Sequence, residues 1–200
     1  MDLLYRILTA DGTLQQFLQV VPVSLLAALV YALHRRRKLG RSFSLRRELP
    51  GAFFVCYLTG LWALVLTPAN FWGWFWSNPL TGDNGVTLHF FSGEYNLVPI
   101  LWRLLRGELT IGRWVGRMLV FNVLMFVPLG FFLPFVSRRA NRRSIWLIAP
   151  GVPLVIELLQ PIVGRSFDVD DLLTNAAGIL LGFALGAALR WLLRRRKTET

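Results

Sequence analysis

The residues best suited to chemistry lie in one stretch, Ile156 to Asn175, which holds Glu157, Gln160, Arg165, Asp168, Asp170, Asp171 and Asn175 between two apolar runs. Four of the chain's eleven acidic residues fall within fifteen positions here. A carboxylate inside or against a bilayer is costly, so it is kept for function or for a specific polar pairing. Glu157 and Gln160 are three apart and share one face of a helix. An unpaired Glu157 would take a proton or find a cation, and Arg165 is the obvious partner by proximity in sequence. A buried, hydrogen-bonded Glu that fixes helix packing would explain the same residue. Asp170 or Asp171 is placed to cap the following helix, where a carboxylate accepts orphan backbone N–H groups. Three carboxylates in four positions exceed what capping needs. Glu157, Asp168 and Asp171 are therefore candidate general acids and bases, or ligands for a divalent cation. As a metal motif the stretch lacks histidine, cysteine and the spacing of a calcium loop, so no metal ligand is assigned.

The elements that must position these groups are membrane helices. The chain has 200 residues, 54% of them hydrophobic, with a mean hydropathy of +0.51, and its apolar residues come in runs of spanning length. The net charge of +11 sits in short clusters beside those runs, with no separate module that could hold a nucleic acid. Cys56 is the only cysteine, which excludes an intrachain disulfide and a cysteine metal cluster. The amino-terminal residues lack the pattern of a cleaved signal, so the first span is expected to target the chain to the membrane.

In order, the pattern predicts a surface helix over Met1–Gly12 and five spans: Leu14–Leu33, Leu49–Ala69, Met118–Val136, Ile145–Val163 and Leu172–Leu189. The aromatic run Phe71–Trp76 fits an interfacial belt at the end of the second span. In the long loop, Val86–Phe91 is a short strand candidate, and Ile100–Arg106 reads as an interfacial or partly re-entrant helix. The fold class is thus an all-α polytopic membrane bundle. Three regions are expected: residues 1–95 with two spans and the aromatic loop, 96–189 with three spans, and a basic tail over 190–200. With the amino terminus outside, the three cytoplasmic segments hold sixteen of the twenty-two Lys and Arg, which sets the carboxyl end in the cytoplasm.

Asp171, Asn175, Gly178, Gly182 and Gly186 follow at helical steps and fall on one face. The glycines form a small-residue seam, and the fourth span, joined by a short loop, is its expected neighbour. Ile179 is expected to face elsewhere. Asn122 of the third span, and Asn96 as an outer lid, would complete a polar pocket with Gln160, Arg165 and Asn175.

These residues resemble the VanZ-like family of bacterial membrane proteins. The pattern stands here as Asn96-Leu97-Val98-Pro99, Asn122 with Val127-Pro128-Leu129-Gly130, Glu157-x-x-Gln160, then Arg165, Asp168, Asp171, Asn175, Gly178 and Gly182. It covers about Asn96 to Gly186, and the first two spans carry no comparable signature. The resemblance implies a role at the cell envelope, because the namesake is an accessory protein of low-level teicoplanin resistance. Three functions follow as expectations. One is an accessory protein that alters or shields an outer-surface component against glycopeptides. Another is a membrane enzyme acting on a lipid-linked precursor or surface glycan through Glu157, Asp168 and Asp171. The third is a small proton- or cation-coupled carrier, which the lack of internal repeats disfavours.

Overall fold

A computed structural model describes residues 13–68, 71–81, 90–91, 93–107, 113–136 and 141–198. The chain forms two compact units, Met1–Ser92 and Gly93–Thr200. Five helices are long and apolar enough to cross a membrane. The all-α expectation holds, with one two-residue parallel bridge as the described strand pairing. The expected surface helix over Met1–Gly12 lies outside the described residues, as does all of the Val86–Phe91 strand candidate but Phe90 and Phe91, which are irregular.

In the first unit, α1 (Thr13–Leu39) and α2 (Leu45–Val65) are joined by a 3-10 turn at Gly40–Ser42, where Gly40 has φ +51. Their pairing is antiparallel, since Gly51 lies against Tyr31 and Gly60 against Ser24. Polarity points inward and hydrocarbon outward, as a bilayer requires. Gln19, Ser24 and Glu48 are buried, while Leu25, Leu26, Leu29 and Val30 are exposed. Arg35 grips Glu48 with two donors, Nε to Oε2 at 2.6 Å and Nη2 to Oε1 at 2.9 Å. The aromatic run is a helix of its own, α3 (Phe71–Thr81), separated from a second span that ends at Val65 rather than Ala69. Two of its indoles are tied to the hairpin: Trp72 Nε1 donates to Ala63 O at 2.7 Å and Trp76 Nε1 to Gln19 O at 2.9 Å.

The second unit contains α4 (Ile100–Leu105), α5 (Arg113–Val136), α6 (Ile145–Leu159) and α7 (Val169–Thr198), with β1 (Tyr95–Asn96) paired to β2 (Phe167–Asp168). α6 starts where Asn141 Oδ1 accepts the N–H groups of Arg143 and Ser144. It buries Ile145, Ala149, Pro153, Ile156 and Glu157 along one stripe and exposes Trp146, Leu147, Leu154 and Leu158. Through a 3-10 turn at Gln160–Val163 it reaches Gly164, which takes the left-handed conformation at φ +73. There Arg165 N bonds Gln160 O and Gly164 N bonds Pro161 O, the paired closure that ends many helices.

The glycine seam of α7 packs against α5, not α6. A Cβ added at Gly178, Gly182 or Gly186 would strike the carbonyl of Val123, Val127 or Phe131 respectively, so the two helices run parallel in close contact. The approach is reciprocal, because a Cβ on Gly130 of α5 would meet the carbonyl of Ile179. Ile179 is itself fully buried, with its carbonyl in this interface, so it does not face outward from the bundle as the expectation that it points elsewhere implied. α6 could not take this place: its one glycine, Gly151, has open space around it, and its buried stripe carries larger side chains.

Candidate functional site

The polar residues of the central stretch meet at one end of the second unit, where α6 ends and α7 begins. The reason is local. The turn at Gly164 reverses the chain after α6, and β2 then runs beside β1 with Phe167 N bonded to Glu94 O at 2.8 Å. Gly93 makes this approach feasible, since a Cβ there would collide with the carbonyl of Arg165 and sit 2.8 Å from Pro161 Cα.

Glu157 is wholly buried, and its Oε2 accepts the backbone N–H of Asp168 at 2.9 Å. Asp168 is the N-cap of α7: its Oδ1 accepts the N–H of Asp170 at 2.8 Å, and its Oδ2 accepts Asn96 Nδ2 at 3.0 Å. Capping therefore falls to Asp168 and not to Asp170 or Asp171, because the helix starts at Val169. Asp170, 5% exposed, instead receives the N–H of Ile100 on both oxygens, at 3.0 and 2.8 Å. It thereby satisfies the open first donor of α4, seventy residues earlier in sequence. Asp171 Oδ1 accepts Asn122 Nδ2 from α5.

Asn175, one turn further along α7, is buried at 4% exposure, and Gln160 at 6%. Two buried acceptors have no hydrogen-bond partner among the described residues: Glu157 Oε1 and Asn175 Oδ1. Arg165 is partly buried, and its charge acts on both Asp171 and Glu157. Burial lowers the Arg165 pKa from its ordinary value, while the Asp171 and Glu157 carboxylates act in the opposite direction. Arg103 of α4 lies within range of the Asp170 charge. The bonded partner of Glu157 Oε2 is thus the backbone of Asp168, with Arg165 acting through its field.

The structure brings Asn96, Asn122, Glu157, Gln160, Arg165, Asp168, Asp171 and Asn175 to this end, with Gly178, Gly182 and Gly186 below them in the α5 contact. Asp170, Gly93 and Arg103 belong to the same assembly; Gly93 and Arg103 carry no functional reading in the sequence, and Asp170 reads there as a cap or carboxylate ligand, not as the acceptor for Ile100. A signal for Asp170 existed: Pro99 opens α4 without a nearby Ser, Thr or Asp, so the Ile100 N–H had to find an acceptor elsewhere. No signal marked Gly93. Among the described residues no three of His, Cys, Asp and Glu form a group that could hold a metal ion.

A bundle of spanning helices with a carboxylate and amide cluster closing one end defines a polytopic membrane protein with a buried polar site. The sequence model of the VanZ/LLP1 family matches residues 54–191, and the chain belongs to that family. The match begins within α2, so the family relation extends well before Asn96 and takes in the aromatic helix. No curated protein and no solved structure matches the chain.

Proposed function

We propose that this VanZ-type protein works in the bacterial cytoplasmic membrane, amino end outside and carboxyl end in the cytoplasm, and lowers the action of teicoplanin-like glycopeptides. It does so by altering or shielding a component of the outer surface. In this orientation, supported by the loop charges, the polar cluster faces the outer leaflet. The observation that carries the reading is the buried Glu157, whose Oε1 is left unbonded beside the engaged Asp168 backbone. An unbonded buried acceptor costs about 1–3 kcal/mol, which favours retention for a ligand over retention for packing.

The same observation favours a second reading, an enzyme acting on a lipid-linked precursor or surface glycan. In that reading the roles narrow. Asp168 is committed on both oxygens, to the α7 cap and to Asn96, whereas Asp171 is held by Asn122 on Oδ1 alone, so Glu157 and Asp171 are the groups left for proton transfer, with Glu157 Oε1 the buried oxygen.

The test is expression in a glycopeptide-susceptible host. The wild-type chain should raise the inhibitory concentration of teicoplanin, and Glu157→Gln should lose most of that effect at unchanged membrane abundance. Full protection by Glu157→Gln would remove the carboxylate from the mechanism. No protection by the wild-type chain would end the glycopeptide reading.

A further inference from the structure

The two unbonded atoms share one chemical need. Glu157 Oε1 and Asn175 Oδ1 are both acceptors, both buried, and both lack a donor among the described residues. Asp171 links the two: Asn175 lies one turn after it on α7, and Glu157, which accepts the N–H of the α7 N-cap Asp168, acts on it through its charge.

The charge balance points the same way. Among the described side chains, Glu157, Asp168, Asp170 and Asp171 are linked through their charges, and the cations whose fields reach them are Arg165 and Arg103. Among these described groups the carboxylates outnumber the cations in a largely buried setting, which favours a ligand that brings a positive charge. A divalent metal fits poorly, since no three acidic or nitrogen ligands are grouped to hold one among the described residues. An ammonium group fits both demands, because it brings a positive charge and three N–H donors that need only acceptors.

We propose that Glu157 Oε1 and Asn175 Oδ1 receive a primary ammonium group, carried by an aminolipid headgroup or by a soluble amine. This names a ligand class for the site and rests on the reading of Glu157 as a ligand-binding group. N–H donation to the pair holds the amine in place, and the surplus carboxylate charge selects the protonated form.

The experiment uses the full chain, purified and reconstituted, and follows its thermal unfolding. Titration with methylammonium should raise the melting temperature and saturate, whereas tetramethylammonium, with equal charge and no N–H donor, should leave it unchanged. A comparison of phosphatidylethanolamine with phosphatidylcholine vesicles tells the lipid source from the soluble one: stabilisation by the former without added amine assigns the lipid, and equal behaviour with a methylammonium response assigns the soluble amine. Glu157→Gln keeps an acceptor for the Asp168 N–H, and Asn175→Ala removes the second acceptor. Each should fold and lose the methylammonium response. Equal stabilisation by tetramethylammonium, potassium or magnesium would overturn the proposal, as would a response that survives in both variants or is absent in both soluble amine and aminolipid. Because the readout is binding, its failure leaves the teicoplanin test standing and is told apart from failure of that reading.

Discussion

Asp168 shows how much depends on which atom of a carboxylate is engaged. Its two oxygens accept from two directions, the α7 backbone and the Asn96 amide, and its own N–H goes to Glu157. Asp168→Asn can keep the cap but sets an amide donor against the donor of Asn96. We expect a loss of about 1–3 kcal/mol from that mismatch, read as a lower melting temperature of the purified protein. Exchanging the roles in Asp168→Asn with Asn96→Asp should recover most of the loss, since donor and acceptor again face each other. Failure of the double variant to exceed the single one would show that the pair contributes nothing specific. The sequence revealed this cluster because acidic residues stand out against hydrocarbon. It did not reveal the pairings: moving a helix start by two or three residues decides which of Asp168, Asp170 and Asp171 becomes the cap. The Asp170 contact with Ile100 spans seventy positions and leaves only an unmet N–H as its trace.

Among the helices, the contact of α5 with α7 carries the sharpest steric requirement. Every glycine of the seam faces a carbonyl, which cannot swing aside as a side chain can. Gly182→Ala should therefore cost several times the usual helix-propensity gain of about 1 kcal/mol. Gly151→Ala, in α6 with open space around it, should be neutral or stabilising by that amount. Unfolding of the two variants in the same detergent provides the comparison, and equal stability would mean the helices are not in backbone contact. Spacing alone disclosed the seam and its face. It could not disclose the partner, because a short loop favours α6 while close approach needs a second helix with a small residue in register, and Gly130 supplies it. Span starts were legible to within about five residues from hydropathy, whereas α1 and α7 run on past the expected Leu33 and Leu189 into their basic clusters, to Leu39 and Thr198. The separate helix of aromatic residues was not, since nothing in Phe71–Trp76 announces that Trp72 and Trp76 bond back to carbonyls of α1 and α2.

For the whole molecule, the loop charges give an orientation that fusion reporters can check. A reporter placed after Arg143 should read cytoplasmic, and one placed between Asp83 and Gly85 should read external. Opposite labelling would turn the polar cluster of the second unit toward the cytoplasm and separate it from envelope chemistry. The same unit has a property that bears on its synthesis. Glu94 to Ile100 leaves the ribosome before α5, α6 and α7, yet its bonding partners are Phe167, Asp168 and Asp170. Until α5, α6 and the turn after them have been made, that early segment has nothing to join, and Glu157 has no Asp168 N–H to receive. Completion of the cluster thus waits for the start of the fifth span, and a chain that stalls before it carries every apolar helix but one yet lacks the Asp170 contact with Ile100 and the Asp171 contact with Asn122.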